Sequence, residues 1–570
     1  MQFPGPIQVF RRLRASFRFP AQHPVALAFA VSVVLVLFYN GQLWAAVLAA
    51  VPGRSFHNLA FLASVGLFLV IAFNLVLQPF ALPRILKPVL ILLVLIAAAV
   101  SYFASSYGAV MDKTMIANVI ETDAREVGDL LSIRLFSDIV LFGVLPAIVI
   151  WRVPLVLPSW RKEAAIRAGV VIGSFVLVGL TAATFYQDYA MLLRNHREVR
   201  LMVNPSAAIY ASMRYATEVP ASMTSRFERV ATNVTRAPAH GDGKKTVMVF
   251  VVGETARADH FSLNGYERET NPELSKLGVV SFGEVRSCGT STAESVPCMF
   301  SDLARADYSA SAAGSRENML DILARAGVDV LWLENNSSCK GVCARVPSEV
   351  MWELGDTEFC SGGECRDDIL LRRLKEALAK ADNDTIVVLH QIGSHGPSYY
   401  KRFTEPYRVF APTCDTNELQ SCTPSEIVNS YDNSILYTDR ILAGAIGILD
   451  GVADRFDTAM IYVSDHGESL GENGIYLHGM PYMLAPDAQK HVPMLVWTSE
   501  GYREKTSLDT ACLAAESGNS LSHDNLFHSV LGGFDVHTDV YKPELDFLAP
   551  CRSGVAVAHA TEPVIDIGRP

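Results

Sequence analysis

Long apolar runs fill the first third of the chain and give way to a mixed pattern after about residue 186. A helix that crosses a bilayer needs roughly 20 consecutive apolar residues. Five runs approach or exceed this length, the fourth being the shortest, and we expect membrane-spanning helices at about 24–48, 56–78, 88–106, 136–151 and 166–186. The pattern therefore predicts an N-terminal transmembrane domain of five helices.

Apolar strands alternate with helical patterns in the second part of the chain. Four strands run into polar residues, at 246–255, 328–336, 385–396 and 458–469, and amphipathic helical patterns lie between them. This alternation predicts an α/β domain with a mainly parallel, doubly wound sheet. The expected divisions are a transmembrane domain over 1–186, bridging helices and a linker over 187–243, and a second domain over 244–570.

Composition and charge follow the same division. The chain is 50% hydrophobic with a mean hydropathy of +0.23, which is high for a purely soluble protein. Basic residues outnumber acidic ones over 1–186, although the whole chain carries a net charge of −11. The second domain is therefore strongly acidic.

Lysine and arginine cluster in three of the segments outside the apolar runs. These segments precede the first run, join the second to the third, and join the fourth to the fifth; they contain Arg11, Arg12, Arg14, Arg18, Arg84, Lys87, Arg152, Arg161, Lys162 and Arg167. With five spans the three segments share one side of the membrane, which the positive-inside rule makes cytoplasmic. The second domain then lies outside the cytoplasm. No small-residue cleavage site follows the basic arm over 1–23, so we expect a retained anchor and not a signal peptide.

All ten cysteines lie after residue 287. Their even number and close spacing favour disulfides in an oxidising compartment. Free buried thiols and a structural zinc site are the alternatives, but no C-x-x-C pair is present. The cysteines thus place the second domain in the same compartment as the charge pattern does.

Chemically active side chains recur where the predicted strands end. Glu254 follows the first strand, His390 and His395 end the third, and Asp465 and His466 end the fourth, with Glu468 and His478 shortly after. Ligands collect at the carboxyl ends of strands in such sheets. Two carboxylates and an imidazole suit zinc and leave one position open for chemistry. Each residue alone is more often structural: Glu254 could pair with Arg257, and His390 could be a core histidine.

The segment Ser287–Cys298 offers hydroxyl groups in a turn that leads into a helix. A helix N-terminus binds phosphate well, and a metal-bound threonine there could attack phosphorus. We expect Thr290 to be this nucleophile, although the sequence separates it only weakly from Ser291 and Thr292. A simple N-cap is the structural alternative.

The polar connection over 107–135 carries Asn118, Thr122 and Glu126 at intervals of four residues. On a helix these side chains would share one face. By pattern alone, a solvated amphipathic helix at the membrane surface is the better interpretation.

Six strings resemble the lipid A phosphoethanolamine transferases, a family that includes the mobile colistin-resistance enzymes. They are VVGETARADHFSLNGYERETNP, SCGTSTAESVPCMFS, HQIGSHGPSYYKR, CDTNELQSCTPSEIVNSYDNSILYTD, YVSDHGESLGENGIYLHGMPY and HVPMLVW. The resemblance covers nearly the whole chain, and it implies an alkaline-phosphatase/sulfatase-like catalytic domain. One departure is Ser291, where relatives often have alanine.

The resemblance also implies roles for individual residues. Glu254, Thr290, Asp465 and His466 would bind the catalytic zinc, with Thr290 as nucleophile. His395 and His478 would hold a second zinc or the transferring phosphate. Substrate would contact Asn118, Thr122, Glu126, Lys340, His390 and Glu468. The family's paired cysteines imply the disulfides Cys288–Cys298, Cys339–Cys343, Cys360–Cys365 and Cys414–Cys422, which leaves Cys512 and Cys551 as the remaining pair.

The function so implied is a zinc-dependent transfer of phosphoethanolamine from phosphatidylethanolamine to lipid A, which gives resistance to polymyxins and other cationic peptides. We expect a monomer in the inner membrane, with its catalytic domain in the periplasm and no nucleic-acid partner. A phosphoglycerol transferase or phosphatase of the same superfamily is the nearest alternative, and a catalytically dead membrane sensor is a more distant one.

Overall fold

A computed structural model of the protein describes residues 19–122, 124–224, 227–236 and 243–552, and leaves out the side chains of 123–126 and 218–226. The arginines of the N-terminal arm and the side chain of Glu126 lie outside the described residues, as does most of the predicted linker before Gly243. The chain divides into two compact units, 1–113 with 131–213, and 114–130 with 214–570. The domain limits at residues 186 and 243 stay predictions.

Helices form the described chain up to residue 224. They are α1 Pro24–Phe38, α2 Gly41–Ala50, α3 Phe56–Leu77, α4 Leu86–Tyr107, α5 Lys113–Glu121, α6 Ala124–Leu130, α7 Ile133–Asp138, α8 Leu145–Arg152, α9 Trp160–Thr184, α10 Tyr186–Asn195 and α11 Ser206–Thr224. A π-helical segment, Ile139–Val144, continues α7 into α8.

Four stretches of the described chain are long and apolar enough to cross a membrane: Phe56–Phe80, Leu86–Tyr107, Ile133–Arg152 and Trp160–Thr184. Helices α1 and α2 meet at a bend of 63° and make a fifth if they count as one span. The prediction of about five apolar helices is confirmed. The fourth run is longer than the sequence pattern suggests, because its helix extends by a few residues at the N-terminal end.

The second unit is built on an eight-stranded sheet of order β13-β3-β12-β9-β2-β8-β4-β5. The strands are β1 Thr235–Arg236, β2 Lys245–Gly253, β3 Val280–Arg286, β4 Asp329–Glu334, β5 Ser348–Val350, β6 Cys360–Ser361, β7 Glu364–Cys365, β8 Thr385–His390, β9 Phe456–Ser464, β10 Ser469–Leu470, β11 Tyr476–Leu477, β12 His491–Thr498, β13 Leu521–Ser522 and β14 Val536–His537. Within the sheet only β12 is antiparallel to its neighbours, β3 and β9. The predicted mainly parallel sheet is confirmed, and all four predicted strands lie in it.

Helices cover both faces of this sheet. They are α12 Thr292–Met299, α13 Ala310–Gly314, α14 Met319–Arg325, α15 Asp368–Lys380, α16 Pro424–Asp450, α17 Glu500–Thr506, α18 Thr510–Ala515 and α19 Leu526–Gly533. Alternate residues of β2 enter opposite cores: Phe250 packs in the core that contains α14 and α19, and Val249 in the core with α15 and α16. Because both faces are covered, the central strands are apolar throughout and show no alternation.

The parallel register brings the ends of four strands to one edge. Gly253 pairs with Ser464, Val252 with His390, and His390 also with Glu334. The residues that follow β2, β4, β8 and β9 therefore emerge side by side.

Candidate active site

Glu254, Asp465 and His466 form a fully buried cluster at this edge. The N–H of Asp465 donates to the carbonyl of Gly253 at 2.9 Å, which sets the ends of β9 and β2 together. Nε2 of His466 lies 3.4 Å from Oε1 of Glu254 and 3.4 Å from Oδ2 of Asp465. One ligand atom from each residue lies within 4.8 Å of the other two. The sequence-based grouping of these three residues agrees with this geometry.

The chemistry of this cluster fits a divalent cation. Oε1 of Glu254 and Oδ2 of Asp465 are buried and accept no hydrogen bond from the described residues. Burial and the charge of Asp465 raise the pKa of Glu254 well above its usual value, and burial raises the pKa of Asp465. Burial and nearby His478 lower the pKa of His466. Two buried carboxylate oxygens and a neutral imidazole nitrogen are a ligand set that zinc prefers.

Arg257 does not neutralise Glu254. Its guanidinium is paired with Asp259 at 2.7 Å and with Glu472 at 2.5 Å. The structural alternative for Glu254, a buried pair with this arginine, is therefore excluded by the described contacts.

Thr292 is the hydroxyl that the structure brings to the cluster. It is the first residue of α12, and Oγ1 donates to Oε2 of Glu254 at 3.1 Å and lies 3.4 Å from Nε2 of His466. Oγ1 of Thr290, by contrast, donates to the carbonyl of Met480 at 2.6 Å. The geometry therefore favours Thr292, which the sequence left as an alternative, over Thr290 as the reactive hydroxyl. The two threonines differ in their position relative to α12: Ser291 is its N-cap, so Thr292 lies in the first helical turn and Thr290 lies before the helix.

Asn336 and Glu334 belong to the site although the sequence analysis did not single them out. Nδ2 of Asn336 donates to Oε2 of Glu254 at 2.6 Å, so Oε1 remains the oxygen that faces Asp465 and His466. The N–H of Asn336 donates to Oε1 of Glu334 at 2.7 Å. Polar residues at the end of a predicted strand also mark these two: Glu334 is the last residue of β4, and Asn336 comes two residues after it, at the same edge of the sheet.

Glu334 also orients His390. Nδ1 of His390 lies 2.9 Å from Oε2 of Glu334, which accepts a further hydrogen bond from Nε1 of Trp332 at 2.8 Å. His390 is fully buried. Among the described residues, His390 is not part of any cluster whose ligand atoms are close enough to share a metal ion. A direct substrate contact by His390 stays a prediction.

His395, His478 and Glu468 form a second group beside the first. The ring of His478 lies 4.3 Å from that of His466 and 5.6 Å from that of His395, between centroids. Oε2 of Glu468 lies 2.8 Å from Nδ1 of His478, and Oε1 accepts from the hydroxyl of Tyr399 at 2.6 Å. Glu254, His395 and His478 have the spacing of a metal site, as do His466, Glu468 and His478.

The remaining sequence-predicted residues lie on or near α5, which belongs to the second unit from Thr114 onwards. A Cβ atom at Gly479 would lie 3.0 Å from Nδ2 of Asn118, so α5 packs directly on the residue after His478. Thr122 donates through Oγ1 to the carbonyl of Asn118 at 2.5 Å. Nζ of Lys340 lies 4.0 Å from Oε2 of Glu121, and the Lys340 side chain is only 8% exposed.

Five disulfides stabilise the loops of the second unit. They join Cys288 to Cys298, Cys339 to Cys343, Cys360 to Cys365, Cys414 to Cys422 and Cys512 to Cys551, as the sequence predicts. The first closes the turn that presents Thr292. Cys288 and Cys298 also lie close to Asp524, but disulfide-bonded sulfurs are not metal ligands.

Comparison with known proteins gives the same family over most of the chain. The sulfatase family model matches residues 246–536, and the model described as phosphoethanolamine transferase EptA/EptB matches residues 69–219. Phosphoethanolamine transferase EptA of Escherichia coli is 42% identical over 529 residues, which cover 92% of this chain and 96% of that protein. Phosphatidylethanolamine transferase Mcr-1 of Escherichia coli is 40% identical over 505 residues, 86% of this chain and 91% of that protein.

A solved structure extends the similarity to the complete fold. The integral membrane protein lipooligosaccharide phosphoethanolamine transferase A (EptA) from Neisseria meningitidis has a TM-score of 0.90 and is 40% identical. The match covers 94% of this chain and 100% of that chain. The motif resemblance is thereby confirmed, and the chain belongs to the phosphoethanolamine transferase family, with apolar N-terminal helices and an alkaline-phosphatase/sulfatase-like second domain.

Proposed function

We propose that this protein transfers phosphoethanolamine from phosphatidylethanolamine to lipid A, with Thr292 as the nucleophile that carries the group between the two lipids. The observation that carries the proposal is the position of the Thr292 hydroxyl, 3.1 Å from Oε2 of Glu254 and 3.4 Å from Nε2 of His466. A hydroxyl at a helix N-terminus, beside a set of buried metal ligands, is placed for attack on phosphorus.

Glu254, Asp465, His466 and Thr292 would hold one zinc ion, and His395 and His478 would hold a second one or the transferring phosphate. A zinc ion bound there would act as a Lewis acid that lowers the pKa of the hydroxyl and neutralises charge on the phosphate. The fit rests on the two buried carboxylate oxygens, of Glu254 and Asp465, that accept no hydrogen bond from the described residues.

In the first half-reaction, Oγ1 of Thr292 forms a bond to phosphorus and the bond from phosphorus to the glycerol oxygen breaks. Diacylglycerol leaves with the electron pair of that bond and takes up the proton that the threonine loses. The enzyme then carries a phosphoethanolamine ester on Thr292. The N-terminal turn of α12 directs main-chain N–H groups toward this ester and favours its negative charge.

In the second half-reaction, a phosphate oxygen of lipid A attacks the same phosphorus and the bond to Oγ1 of Thr292 breaks. The product is a lipid A diphosphate linkage that carries ethanolamine, and Oγ1 of Thr292 takes up the proton that the attacking phosphate loses. Each transfer adds an ammonium group to lipid A, which should weaken the binding of cationic peptides such as polymyxins.

The apolar helices and the basic segments between them support the proposed membrane assignment. The apolar helices keep the protein in a membrane, and we place it in the inner membrane as a monomer with the catalytic unit in the periplasm. Both substrates are lipids, so donor and acceptor would reach the site by lateral diffusion. Five disulfides in the catalytic unit support the oxidising compartment.

Mass spectrometry of lipid A from cells that express wild type, Thr292→Ala or Thr290→Ala at equal levels tests the proposal. We expect phosphoethanolamine on lipid A with wild type and none with Thr292→Ala. Thr290→Ala should keep activity in part, because its hydroxyl serves the Met480 carbonyl. If Thr290→Ala abolished activity and Thr292→Ala did not, the nucleophile would be Thr290. Unmodified lipid A with wild type, together with transfer to another polymer, would favour a phosphoglycerol transferase or related enzyme.

A further inference from the structure

Asp129 is buried within the second unit, at the end of a short helix. It lies in α6 and is only 8% exposed. Its Oδ1 is 2.5 Å from Nζ of Lys401, and its Oδ2 is 3.5 Å from Nη2 of Arg402. Nδ2 of Asn417 donates to its main-chain carbonyl at 2.8 Å. The side chain and the main chain of one residue are therefore both held by the catalytic unit.

Arg402 connects this anchor to the active site. Its Nε donates to the main-chain carbonyl of His395 at 2.9 Å, and its Nη1 lies 3.2 Å from Oε2 of Glu364. The guanidinium is 3% exposed. The same buried cation thus contacts the loop that carries His395, the disulfide hairpin of β6 and β7, and Asp129.

The other end of the 114–130 segment lies on the second active-site loop. Nδ2 of Asn118 and the methyl group of Met115 both come within about 3 Å of the position that a Cβ atom at Gly479 would occupy. The N–H of Gly479 donates to the carbonyl of Thr290 at 2.7 Å. The segment therefore touches the loop of His478 through α5 and the loop of His395 through α6 and Arg402.

We propose that Asp129 is a positioning residue whose ion pairs with Lys401 and Arg402 hold the 114–130 segment on the catalytic unit, so that Asn118 and Glu121 stay beside His478 and Lys340. This inference rests on the proposed function together with the substrate contacts that the family resemblance implies for Asn118 and Thr122. Removing the Asp129 charge leaves Arg402 buried with Glu364 as its remaining carboxylate, and breaking a buried pair from one side is costly. The effect should fall on the placement of the segment and not on the chemistry at Thr292.

The test is Asp129→Asn in the full-length, detergent-solubilised protein. We expect hydrogen exchange over residues 114–122 to become faster by about tenfold, since a charge-assisted contact of this kind is worth about that factor. The KM for phosphatidylethanolamine should rise severalfold while kcat changes little, as happens when a contact made equally in the ground state and the transition state is lost. Lys401→Gln should also speed hydrogen exchange over 114–122 and raise KM. Because the two residues form one ion pair, the double variant should show nearly the same exchange rate and KM as Asp129→Asn alone.

Asp415→Asn is the matched control. Asp415 makes an ion pair of 2.9 Å with Arg408 in the same unit, but it is 55% exposed, so its loss should change neither exchange nor KM. Unchanged exchange over 114–122 in Asp129→Asn would overturn the inference. So would a uniform increase that includes β2, β8 and β9, because it would show global destabilisation. A wild-type protein without transfer activity would refute the proposed function. The hydrogen-exchange data would still show whether Asp129 holds the 114–130 segment in place.

Discussion

The main-chain N–H of Cys288 donates a hydrogen bond to Nδ1 of His523 over 3.0 Å. Since Nδ1 accepts, Nε2 carries the hydrogen and donates to the carbonyl of Ser464 at 3.0 Å. One buried, neutral imidazole thus joins the loop that leads to Thr292 to the end of β9, directly before Asp465. It links the segment that carries the proposed nucleophile to the strand that carries two of the proposed metal ligands.

This geometry predicts an acid-sensitive fold. Burial lowers the pKa of His523 to about 4, whereas an unfolded histidine has a pKa of about 6.5. Between these values the unfolded chain binds a proton that the folded chain does not, so stability is full above pH 6.5 and is lost as the pH falls toward 4. From pH 7 to pH 4.5 the residue should cost the fold roughly 2 kcal/mol.

His523→Gln should be less stable than wild type at pH 7 but should lose less stability on acidification, as thermal unfolding at both pH values can show. Burial also lowers the pKa of His528 to about 4, but that histidine is common to both proteins and cancels in the comparison. Parallel pH profiles for variant and wild type would contradict the prediction.

Asn336→Ala should weaken zinc binding about 10- to 100-fold, the usual effect of losing a group that orients a metal ligand. Its amide donates to Oε2 of Glu254 at 2.6 Å and thereby directs the other oxygen to the proposed metal site. Competition with a chelator measures the dissociation constant. Asn335→Ala is the control, because Asn335 is equally buried but donates to Asp367 and the carbonyl of Cys365. Equal zinc affinity in the two variants would show that Asn336 does not orient Glu254.

Removing zinc should destabilise wild type, because chelation leaves the carboxylates of Glu254 and Asp465 buried together. A ligand at 100 times its dissociation constant stabilises a fold by about 2.7 kcal/mol. The melting temperature should therefore drop on addition of a chelator and recover with zinc. In Asp465→Asn, which lacks one of the two charges, the chelator should have little effect. A chelator response of equal size in both proteins would place the zinc elsewhere.

Gly467→Ala should destabilise the fold and abolish activity. The residue does not have a positive φ, but a Cβ atom there would lie 2.0 Å from the carbonyl oxygen of Ala488, a main-chain atom that cannot rotate away. Overpacking of this kind costs about 1–3 kcal/mol, and it would displace the adjacent His466. Gly518→Ala, where a Cβ atom meets nothing within 4 Å, should be neutral in the same unfolding and activity measurements. Similar behaviour of the two variants would contradict the close approach.

Most of the site residues that the sequence could predict lie at the ends of strands. An apolar strand followed by a carboxylate or an imidazole marks Glu254, Asp465 and His466, and the parallel register then brings them together without further information. The same rule applies to the end of β4, where Glu334 and Asn336 follow, but asparagine and a single glutamate are too common after a strand to be chosen from pattern alone.

The choice between Thr290 and Thr292 depends on the three-dimensional structure. The two hydroxyls lie two residues apart at a helix start, and only the orientation of the first helical turn decides which of them faces Glu254. Asp129 was equally out of reach, because its partners Lys401 and Arg402 are distant in sequence and no local pattern marks a long-range ion pair.

The disulfides have a consequence for how the catalytic unit matures. Four of them join cysteines separated by 10, 4, 5 and 8 residues, whereas Cys512 and Cys551 are separated by 39. If the second unit is exported as proposed, the four short pairs can close while the chain is still being delivered, before β9 and β12 arrive to complete the sheet. The fifth can close only after residue 551 has been delivered, so its oxidation comes last and reports that the whole sheet has already left the site of synthesis.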